Sequence, residues 1–189
     1  MYEDEYVDPG TLVDEDTGEF AAVNAELQAS LNRQLTVAVL EPPGGDLACT
    51  EMRARLATYP EVRVLAESPG ERPDYHALKT LLAVVSQSDA DALLVWTDAA
   101  ALEAPAPGAH EGQSWPRQVL GAAEDINLLD NCFTVPIGPG VSRLAARKAG
   151  YEDGFAETTP ISKLLRAITR EALVREQYRR RGSSPPCYL

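Results

Sequence analysis

Along most of this chain, short β-rich apolar runs alternate with amphipathic helical stretches, and the runs are near-continuous in their apolar residues rather than apolar at every second position. The runs are LTVAVLE (35–41), VRVLAES (62–68), ADALLVWTD (90–98) and CFTVPIG (132–138), with a weaker fifth near GFAE (154–157). A strand that is apolar on both sides has to be covered on both sides, and strands that alternate with helices join in parallel. The spacing predicts a helix over 21–34, where Val23, Leu27 and Leu31 recur every fourth residue, and another over 47–59 carrying Leu47, Met52, Leu56 and Tyr59 before Pro60. Asp74 is a helix cap for 75–88, whose Leu78, Leu81, Leu82 and Val85 share a face. Ser114, with Pro116 in the first turn, opens a helix over 115–127. A further helix over 141–149 ends at Gly150, a candidate left-handed cap, and a long one runs from Ile161 to about Arg181.

These elements specify one three-layer α/β/α domain of about five mainly parallel strands, flavodoxin-like or Rossmann-like, with right-handed crossovers. The expected organisation is an acidic arm over 1–20, a single domain over 21–181 that includes the C-terminal helix, and a tail over 182–189. A length of 189 residues suits one domain with a substantial core.

No apolar run approaches the roughly 18 to 20 residues that a membrane span needs. The opening MYEDEYVDPG is acidic where a signal peptide is basic and then apolar, so a cytoplasmic location is expected. Cys49, Cys132 and Cys187 are odd in number and far apart, which argues against a disulfide framework and against a CxxC zinc site. Cys132 reads as a buried strand thiol and Cys187 as an exposed one.

The net charge of −12 is unevenly spread. No basic residue precedes Arg33, and Glu3, Asp4, Glu5, Asp8, Asp14, Glu15, Asp16 and Glu19 crowd the first twenty positions. At the other end Lys163, Arg166, Arg170, Arg175, Arg179, Arg180 and Arg181 outweigh Glu171 and Glu176. Two readings stand: solvated tails, or complementary patches that pair within one molecule, between copies or with a partner. The acidic arm interleaves Tyr2, Tyr6, Leu12 and Phe20, which gives it apolar anchors for docking. The C-terminal helix outruns a typical domain thickness past Val174, so Arg175, Tyr178, Arg179 and, beyond it, Tyr188 are the matching candidates at the basic end. An overall pI near 4.6 disfavours nucleic acid as the partner of the Arg179–Arg181 run.

In a parallel sheet, ligands bind outside the carboxyl ends of the strands, which brings forward EPPGGD, WTDAAALE and IGPGVSR. In the last of these, Gly138 and Gly140 let backbone approach a ligand, Ser142 offers a hydroxyl and Arg143 a guanidinium. The helix behind them would turn its free N–H groups toward an anion. Gly-Pro-Gly is equally a good strand-to-helix joint, and it lacks the GxGxxG and GxxxxGK[ST] patterns of nucleotide loops. Thr97 and Asp98 end the third strand; Asp98 could meet a ligand or cap the next helix.

Catalytic groups are sparse. The two histidines, His76 and His110, stand apart, and no GxSxG, HExxH or His/Cys ligand spacing occurs, so neither a metal nor a cofactor is expected. The stretches DALLVWTDAAALEA, VPIGPGVSRLAARKAG and TTPISKLLRAITREAL resemble parts of a uroporphyrinogen III synthase domain. That resemblance implies Thr97, Ser142 and Arg143 at the ligand-facing turns. The family has two such domains joined by a two-stranded linker, whereas this chain has the length of one.

The expected function is a non-catalytic subunit or accessory protein that docks into a larger assembly, or self-associates, through its charged arms. The alternative is a small enzyme or sensor binding an anionic metabolite at the Gly-Pro-Gly turn.

Overall fold

The structure is a computed structural model that describes residues 28–71, 74–104, 113–180 and 182. It opens on a helical turn at 28–31, the end of the helix expected over 21–34, and Asn32 stops the turn by adopting a left-handed φ of 55°. Five strands follow: β1 (Leu35–Leu40), β2 (Val62–Glu67), β3 (Ala92–Trp96), β4 (Phe133–Gly138) and β5 (Phe155–Ala156). The helices are α1 (Leu47–Leu56), α2 (Tyr75–Gln87), α3 (Ala99–Glu103), α4 (Trp115–Asp125), α5 (Arg143–Lys148) and α6 (Ile161–Arg180).

All strand pairs are parallel, in the order β2-β1-β3-β4-β5. This is the flavodoxin-like order, and strand direction of travel reverses between β1 and β3. Because successive side chains point to opposite faces, the strands feed two cores. Val37, Val39, Leu94, Trp96, Val135 and Ile137 pack under α1 and α6 with Met52, Leu56, Leu164, Leu165 and Ile168. Ala38, Leu40, Leu93 and Val95 pack under α2 and α4 with Leu78, Leu82, Val85 and Val119. A third cluster joins Leu102 of α3, Leu120 of α4 and Val141, Ala145 and Ala149 around α5, closed by Tyr151, whose hydroxyl donates to the Pro116 carbonyl.

The short β5 has a local cause in Pro136. Ile137 turns its carbonyl toward β3, where it accepts from the Thr97 N–H, and Gly138 turns its carbonyl toward β5, where it accepts from Glu157. By alternation Pro136 faces the β5 side, where its missing N–H can support no ladder, and pairing with β5 starts only at Ile137.

At the amino edge Asp91 ties three strands together. Its carboxylate accepts two hydrogen bonds from Arg33 (2.8 and 2.6 Å) and one from the Thr36 N–H (2.8 Å). Its own N–H donates to Thr36 and its carbonyl accepts from Phe133. The hydrogen bond to Asp91 holds the Arg33 guanidinium above its usual pKa.

Two features differ from the sequence expectations. The segment after Asp98, brought forward as a candidate site loop, forms the five-residue α3, and Asp98 takes the capping role that was the other reading, at 2.8 Å from the Ala101 N–H. The end of α6, expected to project past Val174, stays on the domain. Arg175 is 7% exposed, pairs with Glu171 at 2.6 Å and lies over the Phe133 ring at 5.7 Å. Arg179 then donates to the Asn131 carbonyl at the start of β4 (3.1 Å). The helix begins at the carboxyl edge and runs back along the full height of sheet and loops, a greater distance than the strands alone.

Candidate functional site

The carboxyl ends of the strands meet the connections that begin α1, α3, α5 and α6. The β4–α5 turn is built against β3. Gly138 has φ +150°, and a Cβ there would lie 1.8 Å from the Thr97 carbonyl oxygen, so only glycine lets the two backbones cross. The Ala99 N–H donates to the Pro139 carbonyl, and Gly140, at φ +67°, lies against Ala99. Thr97 is buried beneath this crossing at 6% exposure.

The polar groups expected to seat an anion at this turn have other partners. Ser142 Oγ accepts from the Ala145 N–H at 3.1 Å as the cap of α5. Arg143 is exposed, and its Nε lies 3.4 Å from Asp153 Oδ1. Asp98 is engaged with α3. The helix behind the turn has only six residues. Thr97, Gly138, Gly140, Ser142 and Arg143 are thus brought together, as a joint between β3 and β4.

The β1–α1 connection is similarly occupied. Asp46 caps α1 by accepting from Ala48 and Cys49, and Glu41 pairs with Arg53 at 2.6 Å.

The open space lies between α1 and the β5–α6 connection. The backbones of α2 and α4 run close together on one face of the sheet, whereas those of α1 and α6 stand further apart on the other and meet through the side chains of one buried cluster. Alanines at positions 48 and 54 keep the flank of α1 low. The result is a cavity of about 550 Å³ lined by Ala48, Glu51, Ala54, Arg55, Trp96 and Glu157. A second cavity of about 320 Å³ is lined by Arg55, Thr58, Tyr59, Thr158, Thr159, Pro160 and Ile161. Arg55 belongs to both, so the two form one groove along the carboxyl edge. Its guanidinium is exposed and makes no ion pair among the described residues. The indole of Trp96 and the alanines provide an apolar wall; Arg55 and the threonine hydroxyls provide a polar end that suits an anion.

Sequence reasoning missed this groove. Trp96 is a core residue with only its edge at the surface and Arg55 an exposed helix residue, so neither stands out in sequence from its neighbours. The signal that was available is the position of Trp96 as the last residue of a central strand, where a sheet of this class exposes its ligand edge.

Of the residues expected to bind a partner, Arg175 is inside the domain, Tyr178 is half-buried and Arg179 is exposed. Tyr2, Tyr6, Leu12, Phe20 and Tyr188 lie outside the described residues. The described residues contain no cluster of three or more metal-ligating side chains. No described helix is long and apolar enough to cross a membrane. Cys49 and Cys132 are buried free thiols, each pushed up to about 12 by burial.

No family model matches the chain, and no curated protein matches it. Among solved structures it is similar to a cobalamin-binding protein from Desulfitobacterium hafniense DCB-2, with 14% sequence identity and a TM-score of 0.50. The match covers 86% of this chain and 75% of that one. At that identity the likeness is one of fold: the chain has a five-stranded, all-parallel α/β fold of the Rossmann-like class.

Proposed function

We propose that this chain is a non-catalytic binding subunit that holds a small ligand, with a planar apolar part and an anionic group, in the groove between α1 and the β5–α6 connection. The observation that carries this reading is the open groove itself, floored by Trp96 and lined at both of its cavities by Arg55, which makes no ion pair among the described residues. Its combined size falls in the range of cofactor and metabolite sites, roughly 300–1,000 Å³. Its groups are those of recognition: a guanidinium and hydroxyls for a phosphate or carboxylate, Glu51 and Glu157 for ligand hydroxyl or amine donors, and an apolar floor of alanines over the edge of the buried Trp96. The fold likeness to a cobalamin-binding protein makes cobalamin one of the ligands to try.

The test uses Trp96 as its reporter. The chain has two tryptophans, and Trp115→Phe leaves Trp96 alone. Trp115 Nε1 is a buried donor without a partner among the described residues, so this replacement removes an unsatisfied group and keeps an aromatic ring. Full-length Trp115→Phe is titrated with cyanocobalamin, flavin mononucleotide and adenosine diphosphate. The expected result is saturable quenching by at least one probe, weakened about tenfold or more by Arg55→Ala, the loss of a charge-assisted hydrogen bond. Quenching by none of the three, or equal affinity after Arg55→Ala, would count against the groove.

A second reading, docking into a larger assembly through the arms, is favoured by the absence of any basic residue before Arg33 and by the basic end of the chain. Light scattering of full-length chain and of chain lacking residues 1–20, at low and high salt, tests it. A salt-sensitive complex lost on truncation supports docking; a mass unchanged by salt or truncation in the presence of candidate partners opposes it.

A further inference from the structure

The fold leaves one stripe of α6 uncovered. Lys163, Arg170, Val174 and Gln177 are exposed, at steps of seven, four and three residues that place them on one helical face. Arg175 and Arg180 have acidic partners on their own helix, Glu171 and Glu176. Neither Lys163 nor Arg170 makes an ion pair among the described residues, so the stripe carries uncompensated positive charge with the exposed Val174 beside it.

The described residues begin at the same edge of the sheet at which α6 ends. α6 runs from the carboxyl edge to the amino edge, where Arg179 reaches the start of β4. Gln28 precedes β1 at that same edge, and Leu31 packs in one cluster with Leu164, Leu165, Ile168 and Ala172 of α6. Residues 1–27 carry no positive side chain. Fully extended they reach about 90 Å, three times the roughly 30 Å length of a 20-residue helix.

We propose that the acidic segment 1–20 docks along the outer face of α6 of its own chain. Its carboxylates meet Lys163 and Arg170, and one of its apolar residues, Leu12, Val13 or Phe20, covers Val174. Charge complementarity sets the direction of docking, and tethering at Gln28 raises the local concentration of the segment over a face that no other described element occupies. The arm then belongs to this surface rather than to an outside partner. This inference is independent of the groove.

Zero-length carbodiimide cross-linking of the full-length chain tests it, because the reagent joins a carboxylate to a lysine amine only where the two are in contact. The chain has three lysines, Lys79 on α2, Lys148 on α5 and Lys163 on α6, so the linked lysine reports the docked face. Equal amounts of ordinary and nitrogen-15-labelled chain are mixed before cross-linking, and linked peptides are read by mass spectrometry. The expected result is links from the acids of residues 3–19 to Lys163 within chains of one label. The Arg170→Glu variant is expected to lower their yield roughly two- to fivefold, the factor one exposed ion pair carries, and high salt is expected to lower it further. Links distributed equally among the three lysines, or no arm links at all, overturn the proposal. Links found between labels as often as within them also overturn it, and assign the stripe to a second copy.

Discussion

Gly138 is the residue at which the sheet and the carboxyl-edge loops touch. A methyl group there would enter the Thr97 carbonyl, a backbone atom that cannot move aside without displacing β3. Gly138→Ala is therefore expected to destabilise the domain by at least about 3 kcal/mol, read as a lowered urea midpoint. A loss under 1 kcal/mol would show that the crossing relaxes cheaply. Asp91 is the second single residue with outsized consequences. Asp91→Ala removes the acceptor for two Arg33 hydrogen bonds and for the Thr36 N–H at once. Because Arg33 is 40% exposed, water replaces part of the loss, and the expected cost is about 2 kcal/mol rather than the full penalty of a buried orphan charge. Asp91→Asn, which keeps an acceptor oxygen, is expected to cost less in the same denaturation series. The joint at Gly138 was one of the two readings the sequence offered for the Gly-Pro-Gly turn; the role of Asp91 was not legible there. Asp91 reads as the polar flank of an apolar run, and nothing local says that Arg33, 58 positions away, closes on it.

At the scale of elements the sequence was far more legible, because the periodicity that defines each strand and helix is local. The four principal strands and the helices α1, α2, α4, α5 and α6 were expected within a few residues of where they stand. Asp74, Gly150 and Asp98 do what their residue types imply: Asp74 accepts from the Ala77 N–H, Gly150 turns left-handed at φ +102°, and Asp98 caps. The exception is α3, too short for any period to show, and fixed instead by Leu102, which is fully buried in the third cluster. Asp98→Ala is expected to cost about 1 kcal/mol through loss of this cap, while leaving ligand affinity in the groove unchanged. An affinity change in the same titration would place Asp98 at the ligand rather than at the helix. The groove was not legible because it is a gap between elements distant in sequence. It depends on α1 and α6 standing apart while α2 and α4 close together, and helical periodicity does not encode helix–helix spacing.

For the molecule as a whole, the buried ionisable groups set a pH window. Burial pushes the thiols of Cys49 and Cys132 from their usual value near 9 up to about 12, and burial pushes the Tyr151 phenol upward from about 10. A proton held more tightly in the folded state means that the unfolded chain binds fewer protons once the pH exceeds the unfolded value. The stability from these groups is therefore complete below about pH 9 and is lost as the pH rises toward 12, at up to about 1.4 kcal/mol per pH unit for each group. Denaturation midpoints measured between pH 8 and pH 11 should fall, and fall less steeply in a Cys49→Ala, Cys132→Ala double variant. A flat profile would mean that these thiols are solvated. The central claim at this scale is that the carboxyl edge works through the groove at Arg55 and Trp96, and that the Gly-Pro-Gly turn is a joint. The direct measurement is the affinity of one quenching ligand for Trp115→Phe chains carrying either Arg55→Ala or Arg143→Ala, both exposed arginines at the same edge. The account predicts a loss of about tenfold or more for Arg55→Ala and none for Arg143→Ala. The reverse pattern would contradict it and return the site to the turn.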